Sequence, residues 1–141
     1  MRTLEEKKIL VNAICEYAPY EPCIANEDID SGFAIRIFPR HIGLSKYIDG
    51  FTLDSEKYGE CKADKTVIYL RPMSSMTEEE HKEAKTNGCI IYHDTSPKNR
   101  GLMVIASPKG IDWLRAHLFD YRGLIKKGIA KPIGTEKKFE G

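Results

Sequence analysis

The 141-residue sequence has no excess of charge of one sign, because 22 Lys and Arg residues against 21 Asp and Glu residues leave a formal net charge of +1. That balance indicates neither a strongly acidic nor a strongly basic partner. No apolar run reaches the roughly 18 residues that a membrane-spanning helix needs, so no membrane partner is expected. Residues 1–8 are charged and contain no apolar signal region, which predicts a cytoplasmic protein.

The sequence also lacks the motifs of several enzyme and cofactor-binding classes. Phosphate-binding loops of the forms G-x-x-x-x-G-K-[ST] and G-x-G-x-x-G do not occur, nor do the nucleophile elbow G-x-S-x-G and the zinc motif H-E-x-x-H. The four cysteines include no C-x-x-C pair and the four histidines are single, so we predict neither a metal site nor a cofactor. The cysteines are expected to be free thiols, with Cys15 and Cys89 as small buried hydrophobic residues.

Helix signals are present near the N-terminus and in the middle of the chain. The capping box Thr3-Leu4-Glu5-Glu6 predicts a helix from about Leu4 to Ala18. The apolar positions expected to face the core are Leu4, Leu10, Val11, Ile14, Tyr17 and Ala18. The polar positions expected to face water are Glu5, Lys8, Asn12 and Glu16. A second capping box, Thr77-Glu78-Glu79-Glu80, predicts a short helix to about Lys85 whose carboxylates form a solvated face.

Two further helices are predicted in the C-terminal part of the chain. Ser107 followed by Pro108 has the form of an N-cap with proline at the first helical position, and it predicts a helix through Phe119. Asp120 is placed to cap a second helix over residues 121–127. The two helices would form a pair that covers a sheet.

Strand signals occupy the regions between these helices. Alternating apolar residues, or runs of β-branched and aromatic residues, predict strands over 23–25, 33–38, 65–70, 89–93 and 101–106. The first two are expected to pair as a hairpin, and so are the last two, whose polar connection is long. Residues 41–65 contain scattered glycines and show no lasting period, which predicts short strands and loops.

The order of the elements predicts an α+β fold with one mainly antiparallel sheet, covered by an N-terminal helix and a C-terminal helical pair. We expect residues 1–130 to form a single domain, since a chain of this length can bury about two-thirds of its unfolded surface. Residues 131–141 are polar and are expected to form a flexible tail.

Charge is distributed unevenly along the chain. Residues 1–95 hold 12 basic and 17 acidic side chains, whereas residues 96–141 hold 10 basic and 4 acidic ones. A basic surface in the second part could contact a phosphate backbone. The candidate nucleic-acid-binding residues are Arg100, Lys109, Arg115, Arg122, Lys126 and Lys127.

One short segment could carry acid–base chemistry. Tyr92-His93-Asp94 places an imidazole beside a carboxylate at a strand end, so His93 and Asp94 are weak candidates for catalysis. Because adjacent strand residues point to opposite faces, an ordinary solvent-facing histidine is the favoured interpretation. His117 and Asp120 lie at helical spacing, and we interpret them as a packing residue and an N-cap.

Three segments stand in a recognisable order along the chain: residues 17–20 (Y-A-P-Y), 70–78 (L-R-P-M-S-S-M-T-E) and 112–130 (D-W-L-R-A-H-L-F-D-Y-R-G-L-I-K-K-G-I-A). Together they resemble a family of small phage and prophage proteins of gut bacteria. Its central segment has the form L-R-P-L-S-x-L-T and its closing segment the form W-L-x-x-H-x-F-D-Y-x-G-L-I-x-x-G-L-A. Leu118 stands where a second histidine is frequent in that family, which disfavours shared His-His chemistry. The resemblance implies an origin and no activity.

These observations leave three functions open. The favoured one is a non-enzymatic accessory protein of phage or prophage type, in the cytoplasm of a bacterial host cell, which binds an unidentified host or phage macromolecule. The alternative is sequence-tolerant binding of DNA or RNA by the basic C-terminal half, and a further alternative is a small hydrolase-like enzyme that uses His93. A protein-binding module would show an exposed apolar patch or a self-complementary face. The oligomeric state is left open.

Overall fold

The computed structural model describes residues 2–27, 34–37, 42–44, 50–53, 59–94 and 101–136. Its helices are α1 (Leu4–Tyr17), α2 (Glu78–Thr86) and α3 (Pro108–Ala116). Its strands are β1 (Cys23–Asn26), β2 (Ile35–Arg36), β3 (Ile42–Leu44), β4 (Gly50–Leu53), β5 (Gly59–Lys62), β6 (Thr66–Leu70), β7 (Cys89–Asp94), β8 (Gly101–Ala106) and β9 (Ala130–Pro132). The predicted mixture of helix and sheet is confirmed.

The described strands form three hydrogen-bonded sheets instead of the single sheet that the sequence predicts. A four-stranded sheet has the order β2-β1-β6-β9, a three-stranded one the order β3-β4-β5, and β7 pairs with β8 alone. The predicted pairing of β1 with β2 is confirmed, with Ile24 opposite Ile35. Short connections favour pairing between neighbours in sequence, which explains why β3 to β5 and β7 with β8 form separate units.

Helix α1 begins where the capping box predicts. The Thr3 side chain accepts a hydrogen bond from the Glu6 amide, and the Glu6 side chain accepts one from the Thr3 amide. The apolar side of the helix is buried at Leu10, Ala13, Ile14 and Tyr17. Two predictions for the helix are wrong: Leu4 is 51% exposed and Cys15 is also exposed. Both lie off the narrow stripe that meets the sheet.

Helix α2 and the β7–β8 hairpin follow their predicted bounds, but Glu80 is not part of the predicted solvated face, since its side chain is only 17% exposed and binds Arg71. Thr77 and Glu80 complete the second capping box, and α2 ends one residue beyond the predicted Lys85. Strands β7 and β8 pair from Cys89 opposite Ala106 to Asp94 opposite Gly101. Cys89 is buried, as predicted, and its thiol donates to the Gly110 carbonyl oxygen at 3.2 Å.

The predicted C-terminal helical pair is wrong in two respects. Helix α3 ends at Ala116 instead of Phe119, because Leu118 adopts a left-handed backbone conformation with φ of 59°. The chain then turns toward β6, and residues 121–128 form successive turns instead of a second helix. Gly123, with φ of 72°, takes a conformation that interrupts a helix and that glycine adopts without strain.

The predicted C-terminal tail, residues 131–141, starts within a strand, and its last five residues lie outside the described residues. Strand β9 pairs in parallel with β6, so that Ala130 lies opposite Ile68 and Pro132 opposite Leu70. The Ile133 amide donates to the Leu70 carbonyl oxygen at 2.9 Å. Sheet pairing at an otherwise open edge of β6 orders these polar residues, a contact that local composition does not show. The single domain over residues 1–130 stays a prediction.

Two clusters of buried side chains form the core. The first lies between α1 and the four-stranded sheet, and its largest members are Leu10, Ile14, Tyr17, Ile24, Ile68, Leu70, Leu124 and Ile129. The second joins α2, α3 and the hairpin, and consists of Met76, Ala84, Cys89, Leu114 and Phe119. Among the described residues, no helix is both long enough and apolar enough to cross a bilayer.

Candidate binding site

Arg71 follows β6 and connects it to helix α2 and to the segment after α3. Its guanidinium donates two hydrogen bonds of 2.8 Å to the carboxylate of Glu80, and its central carbon lies 4.1 Å from the centre of the Phe119 ring. The backbone of Arg71 pairs with that of Phe119 in a parallel bridge. The hydrogen bonds from Arg71 lower the pKa of Glu80 to about 2. The residues that follow Arg71 are thereby held beside those that follow Phe119.

Asp120 organises the turns after Phe119. It is buried, and its two carboxylate oxygens accept hydrogen bonds from the amides of Leu124 at 2.8 Å and Ile125 at 2.9 Å. Asp120 caps amides that follow it, as predicted, but these amides belong to a turn, so the predicted helix that it would begin is absent from residues 121–127. Leu124 points into the first cluster, and Ile125 packs against its border.

Glu16 of α1 binds three side chains from residues 115–122. The prediction that its side chain faces water is wrong. Its side chain is only 11% exposed. The Nε of Arg115 donates to it at 2.6 Å, a guanidinium nitrogen of Arg122 lies 3.0 Å from its second oxygen, and the Tyr121 hydroxyl donates a short hydrogen bond to it. Burial raises the pKa of Tyr121, and the bond to Glu16 raises it further.

A cavity of about 330 Å³ lies between these two anchored segments and strand β8. Its lining residues are Pro72, Met73, Ser74, Val104, Asp120, Tyr121, Gly123, Ile125 and Lys126. The volume falls in the range of about 300–1,000 Å³ that small-ligand sites occupy. Four of the lining residues are aliphatic or thioether side chains, and the ring of Tyr121 adds an aromatic surface, so the cavity suits an apolar group.

The polar and charged side chains that line the cavity differ in whether another group of the protein already binds them. Both oxygens of Asp120 are taken by backbone amides, and the Tyr121 hydroxyl is taken by Glu16. Lys126 is exposed and has no ion-pair partner within the described part of the chain. The lining is therefore mostly apolar and includes Lys126, a cation without an ion-pair partner among the described residues, an arrangement that can hold an apolar group beside an anion.

The predicted basic residues are distributed over several surfaces. Arg115 and Arg122 bind Glu16, which neutralises part of their charge toward any outside partner. Lys109, Lys126 and Lys127 are exposed. Arg100 lies outside the described residues. The structure thus brings Arg115 and Arg122 together around a carboxylate, and it does not join them to Lys109 in one described cluster.

The weak catalytic candidates lie at the far end of β7. His93 pairs with Leu102 and Asp94 with Gly101 in the strand register, and their side chains lie outside what the structure describes. The enzymatic function stays a prediction. Within the described ranges, no three or more His, Cys, Asp or Glu side chains are grouped closely enough to hold a metal ion.

His117 is a packing residue, as predicted. Its ring stacks on that of Trp113 with centroids 4.2 Å apart, and its Nδ1 lies 2.9 Å from the Trp113 carbonyl oxygen. Phe119 continues the stack, 5.9 Å from Trp113. The stacked rings of Trp113 and Phe119 belong to the second cluster or pack against it, and the Arg71 guanidinium lies over the Phe119 ring.

Of the residues that line the cavity, only Asp120 and Lys126 are singled out by the sequence pattern, and neither as part of a cavity. The lining comes from three separate parts of the chain, 72–74, 104 and 120–126, and no chemical motif marks it. One signal was present, however: all lining residues except Val104 fall within segments 70–78 and 112–130, the two longer segments on which the family resemblance rests. No protein-family model, curated protein or solved structure matches the chain.

Proposed function

We propose that this chain is a non-enzymatic binding module, of the accessory type found in phages and prophages, and that the cavity is where it holds its partner. The partner is a protein segment that offers one apolar side chain next to a carboxylate. The apolar side chain enters the space between Met73, Val104 and Ile125, and the carboxylate meets Lys126. The proposal rests on one observation: beside an apolar cavity, the ammonium of Lys126 has no ion-pair partner among the residues that the structure describes.

Several contacts hold the walls of the cavity in place, which favours a binding site over a gap left by imperfect packing. Segment 72–74 follows Arg71, which is fixed by the bidentate contact with Glu80. Segment 120–126 is fixed from one side by Asp120 and from the other by the contact between Tyr121 and Glu16. A preorganised site loses little conformational entropy when a ligand enters, so that even a small apolar contact contributes to affinity.

The alternative of nucleic-acid binding has less support. Of the candidate residues, Arg115 and Arg122 are paired with Glu16, so a phosphate contact would have to compete with that carboxylate. Among the described candidates, Lys109, Lys126 and Lys127 remain as exposed cations. Phosphate contacts from these three alone would give a shallow dependence of affinity on salt concentration.

Titration of the ¹⁵N-labelled protein with N-acetyl-L-phenylalanine, followed by two-dimensional NMR, tests the proposal. We expect the amides of Val104, Gly123 and Ile125 to shift with the acid, and to shift less with N-acetyl-L-phenylalaninamide, which lacks the carboxylate. Lys126→Gln should weaken binding of the acid by up to about fivefold, the range of an exposed ion pair, and leave binding of the amide unchanged.

Lys127→Gln is the matched control, because Lys127 is exposed on the same turn and does not line the cavity. It should bind the acid as the unmodified protein does. Equal binding of acid and amide, or equal weakening by the two lysine substitutions, would contradict the role of Lys126. The absence of shifts at the cavity amides with 10 mM acid, about ten times a weak dissociation constant of 1 mM, would exclude the site.

A further inference from the structure

The β7–β8 hairpin has two faces with different surroundings. Cys89, Ile91, Val104 and Ala106 belong to the second cluster or pack against it. On the opposite face, Ile90 and Ile105 are each 57% exposed and Tyr92 is 42% exposed. Only three other large hydrophobic residues of the described chain are exposed to this degree, and they are scattered over other elements: Leu4, Tyr20 and Ile133.

The exposed residues of the outer face form one patch because of the strand register. Ile90 lies directly opposite Ile105, and Tyr92 lies opposite the half-buried Met103. Side chains at directly opposite positions of antiparallel strands are about 5 Å apart, so the two side chains of each opposite pair are in contact. None of the four side chains carries a charge. In the described part of the chain, β7 and β8 pair with no third strand.

We infer that this outer face packs against the same face of a second copy of the chain. A two-fold axis parallel to the strands places Ile90 of one copy over Ile105 of the other, and Tyr92 over Met103. Each contact then occurs twice, as an isologous interface requires. The four residues of the patch bring no charge into this packing, and the net charge of +1 adds little repulsion between copies.

The size of the patch determines how strong the association should be. Its three exposed side chains offer roughly 300 Å² of surface per copy, if each offers about half of the area of a large buried side chain. A stable dimer buries about 800 Å² per partner. We therefore expect a weak dimer with a dissociation constant of roughly 10–500 μM. This inference goes beyond the proposed function and does not depend on it, since the cavity and the outer face lie on different sides of β8.

Sedimentation velocity between 10 μM and 1 mM protein tests the inference. The unmodified protein should change from monomer to dimer over this range. Ile105→Lys should keep the protein monomeric at 1 mM, because it buries a charge in the interface. Ile133→Lys, which introduces the same charge at another exposed isoleucine, should dimerise like the unmodified protein. Circular dichroism of each variant checks that the fold is retained.

Three results would overturn the inference. The first is a protein that stays monomeric at 1 mM, which would leave the face free or covered by another segment of the same chain. The second is growth beyond the dimer, which would indicate a head-to-tail contact. The third is a dimer that Ile105→Lys leaves intact, since the interface would then lie elsewhere. The weaker ligand binding expected for Lys126→Gln does not depend on any of these three results, so the two proposals can fail separately.

Discussion

The local sequence pattern predicts the wrong environment for Glu16. Its partners in the folded protein, which come from a distant part of the chain, determine the environment that it has. Its position on α1 is on the polar side of the helix, which favours solvent exposure. In the structure, two arginines and a tyrosine from around residues 115–122 surround it. A carboxylate with so many donors is held in one position, since each donor replaces a lost water contact.

We predict that Glu16→Gln destabilises the protein by roughly 1–3 kcal/mol. The amide cannot satisfy Arg115 and Arg122 as the carboxylate does, and Arg115 is largely withdrawn from water. Urea unfolding at pH 7 measures the change. Asp112→Asn is the matched control, because Asp112 also pairs with Arg115 but is 67% exposed, and it should change the free energy of unfolding by less than about 0.5 kcal/mol. Equal effects of the two substitutions would contradict the importance of the buried contact.

At the scale of the element, the junction between α3 and β7 depends on a close approach that only glycine permits. A Cβ atom at Gly110 would lie 2.7 Å from the Sγ of Cys89 and 3.0 Å from the backbone carbonyl group of Gly88. Alanine is favoured over glycine in a helix by about 1 kcal/mol. Helix propensity and packing therefore oppose each other at this position.

We predict that packing is the stronger effect, so that Gly110→Ala destabilises the protein by roughly 1–2 kcal/mol in spite of its higher helix propensity. The added methyl group would have to displace the backbone of Gly88, which cannot move as a flexible side chain can. Lys109→Ala, at the exposed neighbouring position of α3, should have an effect within about 0.5 kcal/mol. Thermal unfolding compares the two variants, and a Gly110→Ala protein more stable than the unmodified one would show that α3 can shift away from β7.

At the scale of the whole molecule, the free energy of unfolding depends on pH through single carboxylates. Hydrogen bonds within the capping box, first from the Thr3 backbone, lower the pKa of Glu6. Those from Arg71 lower the pKa of Glu80 to about 2, from 4.5 as the ordinary value. A carboxyl with a lowered pKa in the folded state binds fewer protons than in the unfolded state. Its stabilising contribution is complete above pH 5 and is lost as the pH falls toward 2.

We predict that Glu80→Gln is less stable than the unmodified protein at pH 6 and that the difference becomes smaller between pH 5 and pH 2.5. The variant keeps the shape of the side chain but lacks the charge that titrates. Urea midpoints measured across this range test the sign. A difference that does not change with pH would show that the carboxylate of Glu80 has no coupling to Arg71 in the folded protein.

At this scale, Arg2 near the N-terminus is also tied to two distant segments of the chain. The Arg2 guanidinium donates to the carbonyl oxygens of Ala63 at 2.6 Å and Gly128 at 3.2 Å. It also donates a short hydrogen bond to the carbonyl oxygen of Thr66. These contacts join the N-terminus to the start of β6 and to the turn before β9. Burial lowers the pKa of Arg2, and the nearby carboxylates of Glu6 and Asp64 oppose that effect.

The sequence by itself determined the features that depend on neighbours along the chain. Both capping boxes, the start of α3 at Pro108 and the β7–β8 hairpin follow from residues a few positions apart, whose hydrogen bonds are local. The buried Cys89 and the capping role of Asp120 belong to the same group. Local signals suffice there because the competing conformations differ within a single turn or strand pair.

Only the tertiary structure decided where α3 ends, whether residues 121–128 are helical and what Glu16 binds. The bridge between Arg71 and Phe119 draws the chain toward β6, and Leu118 accepts a left-handed conformation to make that turn. The cavity likewise exists because segments 72–74 and 120–126 meet beside Val104. Contacts between residues that are tens of positions apart depend on how whole elements pack, and no local pattern of the sequence encodes that packing.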